Sequence, residues 1–319
     1  MALDNKEVYK KTLGFSLRRF GWDVIAFVAF VVMMGLGLLI ASVAKGPVAI
    51  GLIIGALIGG VLVYFLLRYV SYTYKAGQIA MMTQGIVSGK LPTDVISEGK
   101  KVVKERFTTV AVYYAATSAI KGIFRQIGRG VTAVGEAIGG DTGGAIGSVV
   151  SSIINTIVAY LCDCCLGWVF YRKDIGSGKA TCEGAVLFFK HGKTFFKNMG
   201  RVFGISIVSF LVIGGVFMGI SYLIMMNYPD AFRQLAEALS SEGEVTDANT
   251  VMLVCSAGVG VIFWSMLHSV FVRPFILVGV LRNFINSGIE EKPSEKDFDE
   301  LDSKSPKFKK LHAEIAGAK

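Results

Sequence analysis

Charge is scarce in this chain, and so is proline. Only 18% of 319 residues are Asp, Glu, Lys or Arg, and there are 6 prolines and 3 histidines. A soluble domain is nearer a quarter charged. The shortage excludes a disordered chain and an ordinary cytosolic enzyme, and so few histidines leave no credible Ser/His/Asp arrangement. An enzyme is therefore the least favoured class. Hydrophobic residues make up 53%, with 38 glycines, and mean hydropathy is +0.56. The composition is that of a multi-pass membrane protein.

Five cysteines are present, Cys162, Cys164, Cys165, Cys182 and Cys255. No framework of extracellular pairs can be read from them. Cys162, Cys164 and Cys165 crowd one helical turn, so they cannot all face one ion, and they read as small apolar filler. No metal or cofactor is expected. Gly192-Lys193-Thr194 lacks the six-residue frame and the preceding strand of a phosphate loop, and Gly139–Gly144 lacks the setting of a dinucleotide fingerprint.

Apolar runs of bilayer length, roughly 20 residues, cover Trp22–Ala44, Pro47–Leu67, Ser148–Phe170, Val202–Met226 and Thr250–Val272. A weaker run, Phe107–Phe124, is interrupted by Lys121. The first run is too long for a signal peptide and reads as a retained helix. The net charge of +9 gathers in blocks at 6–19, 68–106 and 172–201, which the positive-inside rule places in the cytoplasm, with no call for nucleic acid. Residues 230–247 are acidic and read as an outside loop. For Ser148–Phe170 to finish inside, Phe107–Phe124 must cross outward.

The expected fold is thus an all-α integral membrane protein of six transmembrane helices, arranged as three hairpins (22–67, 107–170 and 202–272). Amphipathic helices lie on the cytoplasmic face. Residues 1–21 form an amphipathic cytoplasmic N-terminus, 22–288 the membrane domain, and 289–319 a polar, mobile or loosely helical cytoplasmic tail. The alternative is a re-entrant 107–147 segment. Each hairpin is entered by a basic amphipathic stretch and leaves toward a Ser-Gly pair (Ser88-Gly89, Ser177-Gly178 and Ser287-Gly288), as a threefold repeat with glycine helix caps would. Pro274 is expected to bend the last span, and 125–147 to lie on the outer surface before a flexible re-entry.

Gly51, Gly55 and Gly59 recur every fourth residue, a spacing that lets helix backbones approach closely in lipid. The partner is the first span, with Gly35 and Gly37, or a second copy of the chain. Asp163 is the sharpest residue. A carboxylate within an apolar span faces the bundle interior, a partner or water. His268 and Arg273, near the inner end of the last span, are at a suitable depth to pair with it. The set reads either as a transport site or as a fixed ion pair.

Ala180-Thr181-Cys182-Glu183-Gly184-Ala185, Phe195-Phe196-Lys197-Asn198-Met199-Gly200-Arg201-Val202 and His268-Ser269-Val270-Phe271 carry a resemblance. Together with the apolar span, outside loop and terminal helix, this third of the chain resembles the C-terminal part of choline transporter-like proteins, and uncharacterised prokaryotic six-span families have a similar layout. The resemblance implies a small transporter or channel for a small amphiphilic or cationic solute. No site residue is carried over from it. The basic belt and polar tail fit equally a non-transporting scaffold or subunit of a larger membrane complex. Expected partners are the lipid bilayer, anionic lipid headgroups at the cytoplasmic face, and other copies or subunits. The expected location is the cytoplasmic or plasma membrane, with both termini inside.

Overall fold

The computed structural model describes residues 3–45, 48–123, 143–239 and 247–317. All regular structure among them is helical. Among the described residues four helices are long and apolar enough to cross a membrane: Asn5–Val43, Ile53–Ser88, Val202–Met225 and Ala248–Glu290. The chain divides into two compact units, Met1–Lys197 with Phe275–Lys319, and Asn198–Pro274.

In the first unit, α1 (Asn5–Val43) runs unbroken for 39 residues. At 1.5 Å per residue it is about 58 Å long, nearly twice a hydrocarbon core. The basic stretch before the first span is therefore the same rod as the span. Helix α2 (Val48–Val70) returns beside it and continues through a π-type turn, Ser71–Lys75, into α3 (Ala76–Ser88). The α1/α2 contact is backbone on backbone. A Cβ at Gly37 would overlap the Gly51 carbonyl, one at Gly55 would lie 2.5 Å from the Met33 carbonyl, and one at Gly59 would touch Met33 and Phe30. Gly35 faces open space.

Exposure changes abruptly along these helices. Val28, Val32, Ile40, Ile54, Leu57 and Val61 are exposed, as side chains turned to lipid would be, whereas Val8, Phe15, Ile79, Met81 and Met82 are buried. The buried parts join α4 (Val95–Arg106), α5 (110–123), the end of α6 (Gly143–Tyr171), the start of α7 (Ser177–Ser209) and α11 (Arg273–Glu290) in one packed block. Phe15 sits where α1, α3 and α4 meet, against Gly77 and Gly99. Polar staples cross the block. Gln78 Nε2 donates to Ser16 Oγ (3.0 Å), the Tyr72 hydroxyl to the Phe107 carbonyl (2.9 Å), and Arg106 to the carbonyls of Arg172 and Ile175. Arg282 on α11 reaches Asn5 and the Leu3 carbonyl at the other end of the chain, both at 2.6 Å.

Three expectations need correction. The tail, expected to be mobile or loosely helical, is helical and docked, as α12 (Glu295–Lys304) and α13 (Pro306–Gly317). Their Leu301 and Phe308 are buried with Ile123, Cys182, Ala185 and Val186. Polar composition concealed this because two buried apolar anchors suffice to dock a short helix. The Ser-Gly pairs are not equivalent either. Gly89 is a left-handed cap with φ 66°, but Ser177 begins α7 and Gly288 lies inside α11, where a Cβ would lie 2.5 Å from the Trp168 ring. The entry stretches also differ: two are continuous with the helix that follows, while α4 ends at Phe107 in extended backbone.

Helix α5 is described over residues 110–123. Its Tyr113, Thr117, Ile120 and Ile123 are buried, and Ile123 reaches the α12/α13 cluster. The expected outer-surface helix and glycine-rich re-entry at 125–147 fall largely outside the described residues.

The second unit is a helical hairpin. The end of α7 passes through a π-type stretch, Phe210–Gly214, into α8 (Gly215–Met225). Helix α9 (Pro229–Leu239) follows, then α10 (Ala248–Leu267). Asp247 caps α10 through the N–H groups of Asn249 and Thr250. The two long limbs are antiparallel. Trp264 Nε1 donates to Ser209 Oγ (3.1 Å), Gly260 packs against the Gly214 carbonyl, Phe217 stacks on Phe263 at 4.4 Å, and Ser221 reaches the Ser256 carbonyl. A further π-type turn, His268–Val272, closed by the Arg273 N–H on the His268 carbonyl, precedes Pro274, which has no backbone N–H to donate.

Candidate functional site

Asp163 lies on α6, two turns before its end, with its side chain 2% exposed. Lys75, in the turn between α2 and α3, places Nζ 2.6 Å from Asp163 Oδ1, its own side chain 23% exposed. Sequence reasoning had left Lys75 in a loop. The signal was the apolar run Ala76-Gly77-Gln78-Ile79-Ala80-Met81-Met82 immediately after it, which demands a buried helix and hence a partner for a lysine at its start.

The pair's depth follows from the helix it rides on. Arg68 is the first charge after the apolar run of α2, and Lys75 stands about 10 Å further along at 1.5 Å per residue. Asp163 is therefore bound at the packed end of the hairpin, beyond the apolar run of α2. Around it stand Cys162, Cys164 and Cys165, all buried and outside any disulfide, and an aromatic cluster. Tyr113 packs edge-on against Tyr72 and Phe107 at 5.5 Å each, and Phe107 against Phe170 at 5.9 Å.

His268 and Arg273 belong to the second unit. His268 Nε2 is 3.1 Å from Ser206 Oγ, and its ring lies 5.2 Å from that of Trp264. Arg273 opens α11 at the end of the π-type turn. The chemistry displayed is thus a closed ion pair in one unit and a histidine–serine hydrogen bond in the other. Among the described residues no group of His, Cys, Asp or Glu has the arrangement to hold a metal.

Electrostatics beyond the apolar runs hold the block together. Arg172 bridges Asp174 (2.9 Å) and Glu183 (2.5 Å), and Trp168 Nε1 also donates to Glu183 (3.1 Å). The Arg172 guanidinium beside it holds the Asp174 carboxyl down to about 2. Lys190 on α7 reaches Glu291 (2.8 Å) and Asp297 (3.0 Å), securing the start of the tail helices. Its ammonium draws the Glu291 carboxyl below the usual range. Burial pushes Asp297 up, but the backbone N–H and hydroxyl of Ser294 and the ammonium of Lys190 outweigh it, and the net direction is down.

Among the grooves on the first unit, two adjoin the packed block. One, about 140 Å³, is lined by Ala80, Thr83, Val87, Val102, Phe170 and Lys173, and Thr83 Oγ1 is buried there with no hydrogen-bond partner. The other, about 590 Å³, runs between the end of α2 and α5. Asp163 lines neither.

Compared with known proteins, the chain matches no family, no curated protein and no solved structure. What the helices define is the class: a multi-pass membrane protein, by four long apolar helices.

Proposed function

We propose that the chain is a non-catalytic, non-transporting membrane scaffold, in which apolar hairpins hold a packed helical block at the cytoplasmic face. The observation that carries this reading is the closure of Asp163. The one acid expected to serve a transport path is 2% exposed, bonded to Lys75 at 2.6 Å, and lines neither groove. A site that loads and releases a solute needs a water-accessible charge, and a buried pair held this way has none to offer. Partners of such a scaffold are inner-leaflet lipids and further copies or subunits that dock on the block.

The same reading favours four crossings over six. Two hairpins, α1/α2 and α7–α8/α10, return both termini to one side, and the basic blocks make that side the cytoplasm. Helix α5 then belongs to the inner face, since Ile123 shares a cluster with the tail helices. Labelling with an impermeant thiol reagent distinguishes the two. Lys121→Cys and Ser303→Cys should react only after permeabilisation, and Lys45→Cys in intact cells. Reaction of Lys121→Cys from outside would restore the crossing at 107–124.

Function is tested by flux in proteoliposomes. Small cationic or amphiphilic solutes, the class implied by the resemblance of the C-terminal third, should cross no faster than in protein-free vesicles. Saturable uptake that Asp163→Asn abolishes at unchanged thermal stability would replace the scaffold with a transporter.

A further inference from the structure

We propose that the groove between α2 and α5 binds one anionic glycerophospholipid of the inner leaflet, its phosphate on Arg68 and an acyl chain along the apolar walls. This rests on the multi-pass reading above and names a partner for it.

Arg68 closes the apolar run of α2, the level at which headgroups meet acyl chains. Its guanidinium is positioned by rings. Cζ lies 4.1 Å from the centroid of Tyr114 and 5.1 Å from that of Tyr64. The Tyr114 hydroxyl donates to the Arg68 carbonyl at 2.9 Å, tying α5 to α2 at that level. Among the described residues no carboxylate pairs with Arg68, unlike Lys75, Arg172 and Lys190, which all have one. A planar cation held on aromatic faces without a protein counter-ion presents its outer N–H fork to an incoming anion, and phosphate fits that fork in bidentate fashion.

The groove supplies the rest of the ligand's shape. About 590 Å³ is bounded by Phe65 and Tyr69 on α2 and by Val110, Ala111 and Ala115 on α5, with Ser118 as a hydroxyl. Phe65 and Tyr69 are 64% and 58% exposed. Small side chains at 111 and 115 leave room for a chain to lie against α5. The helix itself fits an interfacial position, with Tyr113, Thr117 and Ile120 buried and Ala111, Val112, Ala115 and Ser118 exposed. A free phosphate would use Arg68 but not these walls. The combination therefore selects a lipid.

The experiment begins with alkaline carbonate extraction of membranes containing the full-length protein. It continues with native mass spectrometry after reconstitution into nanodiscs of phosphatidylcholine doped with phosphatidylglycerol. The wild type should stay in the pellet and retain one phosphatidylglycerol in preference to phosphatidylcholine. Arg68→Gln should lower that retention about tenfold or more, the scale of one lost charge-assisted contact. Arg68→Lys, which keeps charge but not the planar fork, should fall between. Ala111→Trp fills the groove with Arg68 intact and should also lower retention, so it decides the matter if Arg68→Gln lowers the thermal midpoint. Lys90→Gln, at an exposed turn, should change nothing. A pellet-bound protein with no preference for phosphatidylglycerol overturns the site alone. So does a preference untouched by both variants, competition by inorganic phosphate in place of lipid, or a lipid-free dimer covering the groove. Release of the wild type by carbonate would overturn the multi-pass reading, and the site with it.

Discussion

Removing either member of the Lys75–Asp163 pair should destabilise the protein, but not equally. Lys75→Met leaves a carboxylate that is 2% exposed with its cation gone. Breaking a buried pair from one side costs about 3–5 kcal/mol, because the orphaned charge stays desolvated. Asp163→Asn leaves an ammonium whose side chain is 23% exposed. Lysine can extend its stem toward water, and Asn still accepts a hydrogen bond, so the cost is about 1–3 kcal/mol. The double change Lys75→Met/Asp163→Leu removes both charges and should be nearly neutral, or stabilising by about 1 kcal/mol or more. Thermal unfolding in detergent should order the midpoints with Lys75→Met lowest, Asp163→Asn next and the double variant near wild type. A double-mutant cycle then isolates the coupling. If Asp163→Asn were as damaging as Lys75→Met, or if the double variant showed the sum of both losses, the pair would not be the closed, dry contact described.

Four further outcomes follow from the packing. Gly51→Val should disrupt the α1/α2 hairpin, since a Cβ there already meets the Gly37 carbonyl and Ala41. It should cost about 3 kcal/mol or more, while Gly60→Ala, with nothing within 4 Å, should be neutral or stabilising by up to about 1 kcal/mol. Phe308→Ala should cost about 3–5 kcal/mol and expose the tail helices to limited proteolysis. In the wild type the Cys182 thiol, pushed up to about 12 by burial with help from nearby carboxylates, should resist alkylation at pH 8, and Phe308→Ala should unmask it. The Lys190 contacts set an acid limit. The Glu291 and Asp297 carboxyls are lowered in the folded state, so their stabilisation is fully present above the ordinary carboxylate range and lost as pH falls through the depressed values. Pepsin cleavage between α11 and α12 should rise on going below about pH 4, and Lys190→Met should show that cleavage rate already at pH 5.

Length, apolar runs and glycine spacing were enough to read a helical membrane protein and the α1/α2 hairpin. They did not show which part of each helix faces lipid. Lipid and a protein core select the same apolar side chains, so Leu57 and Met82 look alike in sequence although one is exposed and the other buried. Only charge betrays the difference, and charge was sparse. Asp163 was recognisable as a buried acid because its neighbours are apolar. Its partner was not, since Lys75 is more than eighty residues away and followed a basic edge that resembles any cytoplasmic loop. The tail was misjudged for the opposite reason, its polar surface outnumbering the few anchors at Phe298, Leu301, Phe308 and Ile315 that hold it.

The seating of the last helices against Cys182 and Ile123, and of Arg282 against Asn5, bears on the order of synthesis. The apolar hairpins can enter the bilayer as each emerges, but the block is wedged by helices made after them, α12 and α13. Until Phe308 has been made, the surface of α7 around Cys182 stays bare, so a stalled or truncated chain is an inserted protein with an open, sticky face. Synthesis of α12 and α13, rather than insertion, is the event that seals it.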